Sequence, residues 1–163
     1  MTANFDMQAR SGFGITMTPV IQLERTGCGI ASVAAIAGLS YTKAKSIAND
    51  LGIHAEDSAL WSDGAHVRRL LRYLGCSVSP REYPFRSWDT IPDLALLSIK
   101  WHLERGLPYW HWVVFVREGE HMYVLDSKKG LRNNRRTDFG RMKPKWFIPV
   151  TQERLHGSAG ERH

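Results

Sequence analysis

Four residues have the types and spacing that covalent chemistry at a carbonyl would need. In "IQLERTGCGIASVAAIAG", residues 21–38, Cys28 stands between two glycines at the head of a run of small apolar residues. A thiol is a weak nucleophile at neutral pH unless its thiolate is favoured, and a helix N-terminus and a neighbouring imidazolium both favour it. Such a nucleophile also needs a base, and a third group that orients the base. His111 in "YWHWVVFV" and Asp126 in "HMYVLDS" lie on two strand-like segments facing each other across "REGE". A tight hairpin with Glu118 and Gly119 at its tip sets His111 opposite Asp126, with Cβ atoms roughly 4.5–5.5 Å apart. A slip of one residue would put the two on opposite faces. Gln22, six residues before Cys28, has a side-chain amide that can share an oxyanion with the Cys28 N–H. Gly29 leaves room for a substrate carbonyl.

Each residue also has a plain structural role. A strand histidine usually packs or is solvated, an aspartate at a strand end usually starts a turn, and a glutamine ahead of a helix is usually solvated. The ordered set weighs against those roles, because all four positions needed for catalysis are filled. Other histidines compete for the base. His102, in the turn-like "WHLERG", is the runner-up; His66 reads as exposed or capping on an amphipathic helix; His121 starts the returning strand far from Asp126; His54 has no partner in view. Trp110 and Trp112 flank His111 and read as packing residues, with room for one of them to line a substrate cleft. Cys76 reads as a small buried hydrophobe.

The elements that must hold these residues follow from periodicity. A helix from Cys28, with Thr26 as its cap, is apolar almost all round and ends at Gly38, the pattern of a helix buried on most sides. Thr42 caps a second helix whose Ala44, Ile47, Ala48 and Leu51 share a face, closed by Gly52. A third follows Asp63, with Val67, Leu70, Leu71 and Leu74 inward, Arg68, Arg69 and Arg72 outward, and Gly75 as the stop. Beyond it the period becomes that of strands: "CSVSPREYPF", Leu94 to Trp101, "YWHWVVFV", "HMYVLDS" and "KWFIPV". Helices first and strands afterwards predict an α+β fold, with the nucleophile on a buried N-terminal helix packed on a C-terminal antiparallel sheet.

The totals agree with one domain. The chain has 163 residues, 43% of them hydrophobic and 23% charged, enough for one sizeable core. We expect a flexible arm over 1–18, the domain over 19–150 and a polar, disordered tail over 151–163. No apolar stretch reaches membrane-spanning length and the N-terminus has no basic-then-apolar signal pattern, so the default compartment is the cytoplasm. Two cysteines do not make a disulfide framework, and no Cys/His set has zinc spacing, so neither a metal nor a cofactor is expected. The net charge of +6 favours acidic partners. Its densest stretch, "SKKGLRNNRR" from Ser127 to Arg136, reads as a solvated loop, since no nucleic-acid motif accompanies it.

Gln22, Cys28–Gly29, His111 heading an apolar strand and Asp126 closing the next resemble the papain-like cysteine peptidases, most closely the branch that removes double-glycine leaders from bacterial peptides. The resemblance runs from about Val20 to Ser127. It implies a papain-like fold in which Cys28 is the nucleophile, His111 the base and acid, Asp126 its orienter and Gln22 the oxyanion donor. It also implies a peptide or protein as the substrate. Gly27 departs from it, standing where those peptidases commonly carry an acidic residue. Three functions are consistent with the residues: hydrolysis of a peptide bond, transfer of the acyl group to another amine or thiol, and a non-catalytic peptide-binding module on the same fold.

Overall fold

A computed structural model describes residues 17–152. The first helix, α1 (Cys28–Ala37), has every residue buried, as a stretch apolar on all sides requires. It ends where Gly38 takes the left-handed conformation (φ 73°). Its N-cap is Gly27, and no side chain caps it. Thr26, expected in that role, is drawn off to the Ala55 carbonyl. The second helix, α2 (Tyr41–Asp50), is capped by Ser40, whose hydroxyl accepts from the Lys43 N–H, rather than by Thr42. The third, α3 (Ala65–Tyr73), buries His66, Val67, Leu70 and Leu71. Asp63 accepts the His66 backbone N–H at 2.8 Å, closing the first turn.

The strands are β1 (Ser77–Val78), β2 (Tyr83–Pro84), β3 (Leu94–Glu104), β4 (Leu107–Glu118), β5 (His121–Leu125), β6 (Arg135–Arg136) and β7 (Trp146–Thr151). Among the described residues they form one antiparallel sheet in the order β1-β7-β3-β4-β5-β6, with β2 also beside β7. One face packs on the helices through Leu96, Trp112, Val114 and Ile148, which join Ile30, Val33, Ile36, Leu70 and Leu71 in a single core. The other face buries Ala95, Leu97, Ile99, Val113, Phe115 and Phe147 under Met142 of the short helix α4 (Phe139–Met142) and under Trp88. Residues alternating along a strand therefore enter two different cores, and "LALL" is apolar throughout because both of its faces are covered.

Two hairpins set the register of the strands that carry the site. Between β3 and β4, Arg105 and Gly106 both take positive φ (55° and 82°), the requirement of a tight two-residue turn. His102 consequently belongs to a strand, paired with Tyr109, rather than to a turn. Between β4 and β5 the tip is Gly119–Glu120, with Glu118 opposite His121. That is one residue later than expected and moves the register by two, so the predicted direct pairing of His111 with Asp126 does not occur. The ladder ends at Val114 and Leu125. A shift of two preserves the face, so His111 and Asp126 remain diagonal neighbours.

The expected arm and tail lie mostly outside the described residues. Where they overlap with the structure, Met17 accepts a hydrogen bond from Arg135 at 2.7 Å, Thr151 ends β7, and Gln152 donates to the Ile36 carbonyl at 2.6 Å. No helix among the described residues is long and apolar enough to cross a membrane.

Candidate active site

Cys28 is the first residue of α1, where backbone N–H groups have no intrahelical acceptor and the helix dipole is positive. Its sulfur accepts the Trp112 backbone N–H at 3.4 Å. The sheet creates that donor: β5 pairs with β4 only as far as Val114, so the Trp112 amide beyond it is left for another acceptor.

His111 precedes that amide on β4. Its Nε2 lies 2.7 Å from Asp126 Oδ1, and the Cys28 side chain is near enough to influence the ring's charge. With Nε2 engaged by the carboxylate, Nδ1 is the nitrogen left for the sulfur. Burial pulls the imidazole down, but the Asp126 hydrogen bond and then Cys28 outweigh it and carry it up to about 9. Asp126 has no exposed surface. Burial raises its carboxyl, but His111, the Lys128 backbone N–H at 3.0 Å and Arg136 at 2.9 Å outweigh that and hold it at about 2. An imidazolium and a carboxylate thus face each other at neutral pH.

Gln22 is buried and clamped to the residue after Asp126. Its N–H donates to the Ser127 carbonyl at 3.0 Å, and its Oε1 accepts the Ser127 hydroxyl at 2.7 Å. Its side-chain NH2 donates to the carbonyls of Glu24 (2.9 Å) and Arg25 (3.1 Å), which folds the segment leading into Cys28. The same side chain lines a cleft of about 460 Å³ together with His111, Arg25, Trp61, Lys100 and Lys128. All four expected site residues therefore meet at one end of the molecule.

The rivals do not. His102 is held by Glu104 (2.9 Å) and the Lys100 carbonyl (2.8 Å) in the exposed part of β3. His66, expected to be exposed or capping, is 4% exposed, with Nδ1 2.8 Å from Asp63 Oδ2 at the start of α3. Its Nε2 end faces Gly29, where a Cβ would overlap the ring. The room that Gly29 provides is thus taken by His66 and Val67 rather than by a substrate. Gly27 is bare for a similar reason, since a Cβ there would run into the Tyr41 hydroxyl, itself bonded to Glu24. Trp110 and Trp112 are buried edge-to-face against Trp146, and the aromatic residue at the cleft is Trp61. Cys76 is buried in the helix-side core.

Three contributors escaped the sequence reading. The Trp112 amide is backbone and has no residue signature. Ser127 and Arg136 belong to the stretch read as a solvated loop, and only the folded chain shows them gripping Gln22 and Asp126.

No protein-family model matches the sequence, and no curated protein matches it. Solved structures do resemble it. One is a double-glycine motif protease from an AMS/PCAT transporter, in complex with the leader peptide: 19% identical, TM-score 0.55, covering 84% of this chain and 92% of that one. Another is the peptidase domain of Streptococcus ComA, a bifunctional ABC transporter of a quorum-sensing pathway: 11% identical, TM-score 0.54, covering 83% and 98%. The likeness spans the helices and sheet described above, and the chain has the papain-like fold of double-glycine peptidase domains.

Proposed function

We propose that the chain is a cysteine peptidase, one domain over residues 19–150, that cleaves a peptide bond through an acyl-enzyme on Cys28. The observation that supports this reading is His111 bonded to Asp126 at 2.7 Å, with the Cys28 sulfur on the backbone N–H of the adjacent Trp112. In the first half-reaction the Cys28 sulfur attacks the substrate carbonyl carbon. A C–S bond forms while the carbonyl π pair moves onto oxygen. His111, carrying the proton it took from the Cys28 thiol, delivers it to the amine as the oxyanion pair re-forms C=O and the C–N bond breaks. In the second half-reaction His111 takes a proton from water, the hydroxide displaces sulfur, and the acid product leaves. Asp126 holds the ring and balances its charge throughout.

The Cys28 N–H and the Gln22 amide are the proposed donors to the oxyanion. For Gln22 this means giving up one of its two carbonyl acceptors as substrate enters. Cys28 is only 2% exposed behind the cleft, so the wall around it must also yield on binding. One of the solved structures that the chain resembles is a double-glycine motif protease in complex with the leader peptide, and a peptide with a double-glycine site is the first substrate to try.

An electrophilic peptide aldehyde or iodoacetamide, followed by mass spectrometry, tests the assignment. Label is expected on Cys28 and not on Cys76, and Cys28→Ala should abolish both labelling and hydrolysis. Hydrolysis surviving in Cys28→Ala would refute the reading.

A further inference from the structure

The cleft beside His111 is lined by four cationic side chains, Arg25, Lys100, Lys128 and Lys129, and by one carboxylate, Glu24. Glu24 is already committed. It accepts the Tyr41 hydroxyl and pairs with Lys45, both outside the cleft lining. Asp126 is likewise neutralised internally by His111 and Arg136. Among the described residues no ion pair involves Arg25, Lys100, Lys128 or Lys129.

Lys100 is placed there at a cost. The β3–β4 ladder breaks between Ile99 and His102, and in that bulge Lys100 adopts φ 57°, a conformation that a residue with a Cβ rarely takes. Ile99 is paired with His111, so the irregularity begins beside the site. Lys100 and Lys128 both line this cleft, and reduced hydration and then the Lys128 charge hold Lys100 below the ordinary lysine value against the opposing pull of Asp126. Two like charges on one cleft, one of them set by a strained backbone, are a preorganised receptor for an anion. Lys100 also borders a neighbouring cavity of about 410 Å³, whose other charged residues are Arg136, Arg141, Lys143 and Lys145.

We infer that Lys100 and Lys128 form a carboxylate-binding subsite beside His111, and that the occupant of the cleft is an acidic peptide segment. The inference builds on the reading of this cleft as a peptide site and adds the class of peptide.

Binding by Cys28→Ala protein tests it without any turnover, so a failure of the peptidase chemistry and a failure of the subsite give different results. The probes are blocked tetrapeptides of alanine carrying one aspartate, one asparagine, or no such residue but a free C-terminal carboxylate, together with a short oligothymidylate. Calorimetry at low salt should show an acidic peptide binding about tenfold more tightly than the asparagine peptide, the scale of a charge-assisted hydrogen bond. The advantage should shrink as salt is raised and disappear in Lys100→Gln and, independently, in Lys128→Gln. Whether the aspartate or the free terminus gains the advantage identifies the source of the carboxylate. Equal binding of acidic and neutral peptides, an advantage untouched by either substitution, or tighter binding of the oligothymidylate would each overturn the inference.

Discussion

At the residue scale, the charge on His111 depends on a carboxylate that is entirely out of water. Replacing Asp126 with Asn keeps an acceptor oxygen but removes the charge, so the midpoint of His111 should fall from about 9 toward or below its ordinary value. Imidazole NMR titration reads this directly, and an unmoved midpoint would mean that Asp126 does not set it. Removing the base itself, as His111→Ala, should lower kcat/KM by about 10²–10⁴. The same pair makes stability depend on pH in two windows. The raised His111 contributes fully below 6.5 and loses its contribution as pH rises through about 9. The lowered Asp126 contributes above 3.8 and loses its contribution as pH falls through about 2. The stability difference between wild type and Asp126→Asn, from urea unfolding, should therefore plateau between those windows, close at the acid extreme and narrow at the alkaline one, where Arg136 still pairs with Asp126.

At the element scale, two glycines serve for different reasons, and substitution separates them. Gly119 lies at φ 64° with open space around it, so Gly119→Ala costs only the strained backbone, about 1–2 kcal/mol. Gly29 has helical geometry, but a Cβ there would overlap the His66 ring, which Asp63 pins in place. Gly29→Ala should cost about 1–3 kcal/mol by overpacking, and much of that should be relieved when His66 is also changed to Ala. A double-mutant cycle in urea measures the coupling, and additive losses would exclude the contact as the cause. The hairpin carries a related lesson. Its tip lies one residue later than expected, because Gly119 at φ 64° as the first residue of the turn matches the twist of the strands, yet the contact it was meant to make survives since strand faces repeat every two residues.

At the scale of the molecule, the sheet separates two cores, and only one of them carries the nucleophile. Leu96 lies in the helix-side core with Cys28, whereas Leu97 lies under α4 on the other face. Each is fully buried, so Leu96→Ala and Leu97→Ala should each cost about 2–5 kcal/mol. The rate of Cys28 alkylation under native conditions should change in Leu96→Ala and stay the same in Leu97→Ala. Equal effects on that rate would show that the two cores do not act separately on the site.

The sequence by itself determined the helices and strands that carry the site, because those elements are written in local periodicity. α1 is apolar on every side and must be interior, and Gly38, Gly52 and Gly75 mark the ends of three helices. The order Gln22, Cys28, His111, Asp126 was legible for the same reason, since each lies next to a recognisable element. Only the tertiary structure decided what fills the space around them. The Trp112 amide is freed because β5 stops short, His66 is buried because Gly29 lets α3 approach α1, and Arg136 leaves solvent because Asp126 needs a second cation. Each of these is a contact between segments far apart in the chain, whose distance is set by packing and by the need to pair buried polar groups, and neither leaves a pattern in a run of neighbouring residues.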